Sequence, residues 1–226
     1  QGFTASIFHE YFAAVDGSGL ETTDDLLDSD ANIWALQSSW GPRTLVEDFL
    51  SEAGYWSEIE DRVVEVDAGD LAGAVEEGRI DAFIGVTAAY RSLAPYMEQI
   101  DARANVHHLE MSPDLEEGIK NTDGAVFAEG IEHKWKQDFG PDTVKAWALP
   151  TNITMTSDVP EDAAYELTKL VHENGDHMLE AAPTNIDTGD IDQLTNMVAS
   201  IPIHPGVAKY FKEQDAWSSD WQEAEL

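Results

Sequence analysis

The chain has 226 residues, of which 45 are Asp or Glu and only 12 are Lys or Arg, so its formal net charge at pH 7 is −33. This charge argues against nucleic acids and anionic membranes as partners, because both require basic patches on the protein. The sequence has no cysteine and no run of about 18 apolar residues, which excludes disulfides, thiolate metal sites and a bilayer-spanning helix within it.

The acidic residues are spread along the whole sequence, while the apolar content is an ordinary 42%. Such a surface repels itself at low ionic strength, whereas in molar salt a Debye length of roughly 3 Å screens most of that repulsion. We therefore interpret the composition as the acidic surface of a halophilic protein. The alternative is an acidic disordered or calcium-buffering chain. It is disfavoured because 21 aromatic residues can build a core and no EF-hand loop occurs.

Alternating strand and helix patterns predict an α/β layered fold. Strands are predicted at residues 3–15, 33–36, 63–66, 80–86, 106–111 and 144–156. The last one continues across Pro150 and is expected to be an edge or crossing strand. Helices are predicted at residues 22–27, 42–53, 71–77, 88–102 and 205–213, around 191–198, and from Ser112 and from Pro160 onward. The segment 123–140 has no clear periodicity.

The first candidate binding site is the loop between a strand and the next helix, which contains Ser38, Ser39, Trp40, Gly41 and Arg43. A helix N-terminus offers unpaired backbone N–H groups and a partial positive charge, which suit a carboxylate or a phosphate. Arg43 could grip a carboxylate through two parallel hydrogen bonds, and Trp40 could form an apolar wall. In the structural alternative, Ser39 only caps the helix and Arg43 pairs with Glu47 one turn later.

The second candidate is the end of the apolar strand at residues 80–86, where Thr87 and Tyr90 follow. Ligands of open α/β sheets favour the loops at the carboxyl ends of strands. In the structural alternative, Thr87 caps a helix and Tyr90 packs in the core.

His107 and His108 face opposite sides of a strand, and the sequence has neither a three-ligand set nor a nucleophile–base pair. We therefore predict no metal, no cofactor and no catalysis.

Four stretches in chain order resemble the TAXI-type substrate-binding proteins of tripartite ATP-independent periplasmic (TRAP) transporters. The most specific is residues 201–211, which are similar to that family's Pro-x-His-Pro-Gly-Ala-x-x-Tyr-Tyr ending, and the others are residues 18–26, 78–83 and 157–169. The family's Gly-x-x-Gly-Ser-Gly-x-Arg loop aligns with residues 36–43. Gly41 and Arg43 are retained there, Trp40 replaces the Ser, and Leu36 and Ser39 replace two glycines.

The resemblance implies a two-lobed, type II periplasmic-binding-protein-like fold that closes by a hinge on a small organic anion such as glutamate, a dicarboxylate or a keto acid. It also implies a location outside the cytoplasm, with or without a membrane tether ahead of Gln1, and delivery to the membrane subunits of a sodium-coupled TRAP transporter.

The family's N-terminal Thr-Gly-Gly loop has no counterpart, so the first lobe is expected to be incomplete. Residues 1–24 and 149–226 would be its remnant, and residues 25–148 the other lobe. The alternative is an interaction or sensory module on the same scaffold without a small-molecule ligand.

Overall fold

A computed structural model of the chain describes residues 1–182 and 184–225. Its strands are β1 (Thr4–Val15), β2 (Ile33–Trp34), β3 (Ala82–Ala88), β4 (Ser92–Leu93), β5 (Val106–His108), β6 (Val126–Glu132) and β7 (Thr143–Asn152). Its helices are α1 (Asp25–Asp28), α2 (Gly41–Glu52), α3 (Trp56–Ile59), α4 (Leu71–Glu76), α5 (Pro95–Asp101), α6 (Pro113–Asn121), α7 (Glu161–Glu173), α8 (Gly175–Ala181), α9 (Ile191–Leu194) and α10 (Pro205–Glu213), with a 3₁₀ turn at Glu60–Arg62. The predicted α/β class is confirmed.

The strands form one mixed sheet in the order β2-β3-β1-β7-β6, with β4 paired to β3 and β5 paired to β1. β2 and β3 are parallel, whereas β1 runs antiparallel to β3 and β5. Every residue of β3 is buried, as expected for an uninterrupted apolar strand in the middle of a sheet. The arrangement matches a periplasmic-binding-protein-like fold.

The chain divides into two compact units, one made of residues 1–7 and 150–226 and the other of residues 8–149. The first division falls after Ile7, whereas the resemblance implied a boundary after residue 24. The reason is pairing: residues 8–14 lie opposite residues 82–88 of β3, so most of β1 belongs to the unit that contains β3. The second division falls after Leu149. The lobe bounds that the resemblance implies, residues 1–24 with 149–226 and residues 25–148, stay a prediction.

The larger unit packs several buried aromatic side chains against β1. The Trp147 ring lies 5.7 Å from Phe12 and 4.8 Å from Phe49 of α2, measured between ring centroids. Helices α2 and α6 pack closely, because a Cβ at Gly118 of α6 would lie 2.7 Å from the Cβ of Ala53. Helix α6 begins as predicted, with the Ser112 hydroxyl accepting a hydrogen bond from the Leu115 N–H at 3.2 Å.

The smaller unit is built on the pair of helices α7 and α10. A Cβ at Gly206 would lie 2.1 Å from the backbone oxygen of Glu161, so only glycine permits this approach. His204 caps α10 by accepting a hydrogen bond from the Gly206 N–H at 3.2 Å, and its Nε2 lies 3.0 Å from the Val159 oxygen. Residues 204–206, His-Pro-Gly, thus start α10 in close contact with α7.

The structure differs from the prediction in several elements. Strand β7 lies between β1 and β6 and is not an edge strand. Residues 63–66 form no strand and make only an isolated bridge from Val63 to Ile33. The predicted helix at residues 88–102 begins only at Pro95, because β3 stays paired to β1 up to Ala88 and a hairpin turn then leads into β4. The segment 123–140 contains the strand β6 with a bulge after Ala128.

Candidate functional site

The loop between β2 and α2 is held by Arg43, whose side chain is buried. Its Nε donates to Glu47 Oε1 at 2.7 Å, and its Nη1 lies 3.2 Å from Glu65 Oε1 and donates to the Leu36 oxygen at 2.8 Å. The guanidinium also lies 5.1 Å from the centre of the Trp56 ring. Two carboxylates therefore share the charge of Arg43, and the pair with Glu47 is the one that the structural alternative predicts.

The backbone of this loop keeps the conformation that a glycine would favour. Leu36 has a φ of +68°, in the left-handed region, at a position where the TAXI-type loop carries glycine. Its carbonyl is the acceptor for Arg43 Nη1. The arginine therefore stabilises a backbone shape that the leucine itself disfavours.

Ser38 and Ser39 lie on the exposed side of the loop and make no hydrogen bond through their hydroxyls within residues 1–182 and 184–225. Both line a cavity of about 560 Å³. Most of the ionisable side chains in its lining are acidic: Glu65, Asp67, Asp70 and Glu77, with Arg79 as the cation. This cavity is electrostatically poor for an anion.

Trp40 connects the loop to the segment that follows β3. Its ring centroid lies 5.8 Å from that of Tyr96 and 6.3 Å from that of Trp34, and Trp34 and Tyr96 are 5.9 Å apart. Tyr96 belongs to α5, whose start is fixed to β3 because the Ala94 N–H donates to the Val86 oxygen at 3.0 Å. These three rings, Trp34, Trp40 and Tyr96, are called the aromatic cluster below.

The N-terminus of α2 lies next to the aromatic cluster. Trp40 occupies the N-cap position, makes no side-chain cap and is followed by Gly41 and Pro42 in the first turn. That turn contains no acidic residue, although the chain carries 45 of them. The positive end of this 12-residue helix is therefore not neutralised by its own first turn.

Thr87 is buried at the end of β3 and belongs to a hydrogen-bonded network. Its Oγ1 lies 3.0 Å from the Tyr11 hydroxyl, which also accepts a hydrogen bond from Trp135 Nε1 at 3.0 Å. Thr87 does not cap a helix, because a hairpin turn follows it. Gly85 makes room for the Tyr11 ring, since a Cβ there would lie 2.7 Å from that ring.

Tyr90 lies in the hairpin turn and packs on His9 of β1, with ring centroids 4.4 Å apart. The Arg91 N–H donates to the Ala88 oxygen at 3.0 Å, which closes the turn over Ala89 and Tyr90. Both central residues have positive φ, +50° and +60°. Hairpin turns of this shape usually contain glycine or asparagine, because other side chains are strained there.

Sequence reasoning missed His9 and Glu10, two adjacent polar residues in the middle of β1. Glu10 is the only buried Asp or Glu among the described residues, and its Oε2 accepts a hydrogen bond from Trp147 Nε1 at 2.7 Å. Burial raises the pKa of Glu10 to about 8, although the bond from Trp147 opposes the shift. Glu10 in turn helps to raise the pKa of Tyr96, after the larger effect of burial. The sequence feature that could have revealed these two residues is a His-Glu pair inside a run of aromatic and aliphatic residues.

A second cavity, of about 770 Å³, lies beside β5 and is lined partly by His107 and His108. His107 is bound through both nitrogens, with Nδ1 2.8 Å from Asp16 Oδ1 and Nε2 2.7 Å from the Leu20 oxygen. Both oxygens can only accept hydrogen bonds, so the doubly protonated ring fits best. Within residues 1–182 and 184–225, no group of three His, Asp or Glu side chains is placed to hold a metal ion.

The geometry thus groups the predicted site residues in three ways. Trp40 belongs to the aromatic cluster, and Gly41 follows it at the N-terminus of α2. Thr87 and Tyr90 lie next to His9 near the end of β3. Ser38 and Ser39 line the acidic cavity, and Arg43 is buried behind the loop.

The family model of the NMT1-like family matches residues 4–214 of the chain. The chain belongs to this family. It is a family of periplasmic solute-binding proteins, so the chain has a ligand-binding role in transport, and its family members are binding proteins rather than enzymes. The resemblance to solute-binding proteins is therefore confirmed at the level of the family.

Among solved structures, the chain is similar to an ABC transporter from Parabacteroides distasonis whose crystal structure was determined at 1.75 Å resolution. The identity is 10%, the alignment covers 100% of this chain and 74% of that chain, and the TM-score is 0.35. No curated protein matches the sequence.

Members of the family are typically extracytoplasmic. Over the described part of the chain, no helix has both the length and the apolar character needed to span a bilayer.

Proposed function

We propose that this NMT1-like protein captures a small organic carboxylate outside the cytoplasm and delivers it to a sodium-coupled TRAP transporter of the TAXI type. The observation that carries the proposal is the aromatic cluster, in which Trp40 of one predicted loop contacts Tyr96 behind the other. The uncapped end of α2 borders this cluster and offers positive charge to an anion. The retained Gly41 and Arg43 of the family loop support the same solute class.

In this proposal Arg43 acts in two ways. Its contacts to Leu36, Glu47 and Glu65 hold the loop in shape, and its Nη2 group makes no hydrogen bond within the described chain. Nη2 is therefore the part of the guanidinium that a solute carboxylate could use. Trp40 and Tyr96 would cover the apolar part of the solute.

The acidic surface sets the conditions under which such a protein would bind an anion. Only one of its carboxylates is buried among the described residues, so a net charge of −33 repels an incoming anion at low salt. We propose that the protein works in a hypersaline medium, where this repulsion is screened. Affinity for a carboxylate should then rise from 0.1 M to 2 M NaCl, whereas affinity for a cation would fall.

A thermal-shift and calorimetric screen in 2 M NaCl tests the proposal with L-glutamate, 2-oxoglutarate, succinate and pyruvate, and with succinamide as an uncharged control. At a concentration about 100 times its Kd, a bound acid should stabilise the protein by about 2.7 kcal/mol, while succinamide should have no effect. The variant Arg43→Lys keeps the charge but cannot make the same set of contacts, so it should lose the shift.

Arg62→Lys is the matched control, because Arg62 also holds backbone oxygens, those of Leu26, Ala31 and Glu58, but lies outside the predicted loops. It should bind the acid as the parent does. Loss of binding in both variants would mean that general destabilisation, not the loop, is responsible.

One observation favours the alternative of a ligand-free interaction or sensory module: two glutamates already share the charge of Arg43. A flat response to every acid in the screen, at both salt concentrations, would refute the carboxylate proposal and support this alternative.

A further inference from the structure

His9 is a buried histidine whose ring nitrogen lacks a partner. It is 1% exposed, and its Nδ1 makes no hydrogen bond within the described residues. Most buried polar atoms are paired, so an orphaned one calls for a functional or structural reason. His9 lies directly opposite Thr87 in the antiparallel pair of β1 and β3, which places both side chains on the same face of the sheet.

Tyr90 covers His9. The two rings lie 4.4 Å apart with an angle of 52° between their planes, and Tyr90 itself is 38% exposed. A partly exposed ring that packs on a buried one shields it from solvent. Tyr90 is therefore one of the side chains that separate His9 from solvent.

The backbone that carries Tyr90 is strained. Ala89 and Tyr90 are consecutive residues in the left-handed region, and neither is glycine. Strain of this kind is found at ligand clamps and switches, where the surrounding structure enforces it. A change of the turn that takes either residue out of this region would relieve strain and displace the ring.

We propose that His9 contacts the bound solute and that the turn at residues 88–91 is its gate, with the Tyr90 ring moving off the His9 ring when the solute enters. This inference rests on the proposed function and adds a specificity determinant to it. Burial lowers the pKa of His9 to about 4, so the ring is neutral near pH 7 and offers one N–H and one lone pair rather than a charge. The matching solute carries an uncharged hydrogen-bonding group, such as a hydroxyl, in addition to its carboxylate.

The gate is tested by the rate at which diethyl pyrocarbonate acylates His9, followed by peptide mass spectrometry, with the highly exposed His177 as internal reference. Tyr90→Gly removes the covering ring, and Ala89→Gly removes a strained side chain from the same turn but keeps the ring. Acylation of His9 should be roughly tenfold faster in Tyr90→Gly and no faster than in the parent in Ala89→Gly. Equal acceleration in both variants, or in neither, would overturn the gate.

The solute contact is tested with L-malate and succinate, which differ by one hydroxyl. The parent should bind malate roughly tenfold more tightly, the ratio expected for one added hydrogen bond to a buried group. His9→Phe keeps a ring under Tyr90 and removes the nitrogen, so the ratio should fall to about one. Equal binding of the two acids by the parent overturns the role of His9 while the carboxylate proposal stands. If neither acid binds, the carboxylate proposal fails for this class of acids, the contact fails with it, and the acylation rates alone decide on the gate.

Discussion

The substitution Glu10→Gln should remove a large pH dependence from the stability of the protein. Glu10 is buried in β1, and burial raises its pKa from an ordinary value of 4.5 to about 8. Between these two values the folded state binds the proton more tightly than the unfolded state does. The free energy of unfolding is therefore highest at low pH and falls as the pH rises towards 8.

Each pH unit in this window costs about 1.4 kcal/mol, so Glu10 should remove about 4 kcal/mol between pH 5 and pH 8. Glutamine has a similar shape and its amide oxygen can still accept the bond from Trp147 Nε1, whose donor distance to Glu10 is 2.7 Å. The variant should therefore fold but lack this slope. At pH 8 it should be the more stable protein, and at pH 5 the two should be similar.

Urea unfolding in 2 M NaCl, measured at half-unit steps from pH 5 to pH 8.5, gives the difference between parent and variant. The high salt screens the repulsion of the acidic surface, which also changes with pH. Glu98→Gln, at an exposed position of α5, serves as the matched control and should keep the slope of the parent. The reasoning is refuted if Glu10→Gln and the parent lose stability in parallel across this range.

Two further predictions concern packing and titration. Gly118→Ala should lower the free energy of unfolding in urea by about 1–3 kcal/mol, because its Cβ would lie 2.8 Å from the Phe49 oxygen and 2.7 Å from the Ala53 Cβ. The control Gly73→Ala lies in a helix where an added Cβ meets nothing within 4 Å, so it should be neutral or stabilising by up to about 1 kcal/mol. Equal losses of stability in the two variants would contradict the close approach of α2 and α6. For His107, burial opposes the charged ring, but the bonds to Leu20 and Asp16 outweigh it and raise the pKa above 6.5. Its contribution is therefore complete below pH 6.5 and lost as the pH rises through the raised pKa. The free energy of unfolding of His107→Gln should be lower than that of the parent by less than about 1 kcal/mol at pH 6, since the His107–Asp16 pair is partly exposed. The two proteins should have the same stability at pH 9. A difference that grows as the pH rises would contradict the raised pKa of His107.

Much of the fold was predictable where local rules and tertiary packing agree. Helix α10 spans Pro205–Glu213 as the sequence indicates, because proline at the start and the apolar stripe both favour it. The helix expected at residues 88–102 shows the limit of such rules. Ala88 has a good helix propensity, but its pairing with Phe8 in β1 continues the strand, and a partner 80 residues away leaves no local signal.

The candidate site was predictable only in part, for the same reason. The spacing of Arg43 and Glu47 indicates their ion pair, but nothing near Arg43 in the sequence indicates Glu65 or the Leu36 oxygen as further partners. Thr87 was expected to follow a strand that ends at Val86, but β3 continues to Ala88 and the Thr87 hydroxyl is used by Tyr11. His9 and Glu10 looked like interruptions of an apolar strand. Their importance depends on burial, which the sequence alone did not assign.

The buried ionisable side chains of the larger unit are either uncharged near pH 7 or paired with an opposite charge, in contrast to its acidic exterior. Near pH 7 Glu10 keeps its proton, and burial holds the pKa of both His9 and His108 at about 4, so both rings are uncharged. Arg43 is matched by two carboxylates. A solute that enters such an interior meets hydrogen-bonding groups and aromatic surfaces rather than a strong net charge. Discrimination between similar acids should then depend on their uncharged polar groups, because a neutral donor or acceptor left unpaired in a buried site is costly. For this reason the hydroxyl that separates malate from succinate is a sharper probe of the site than the carboxylates that the two acids share.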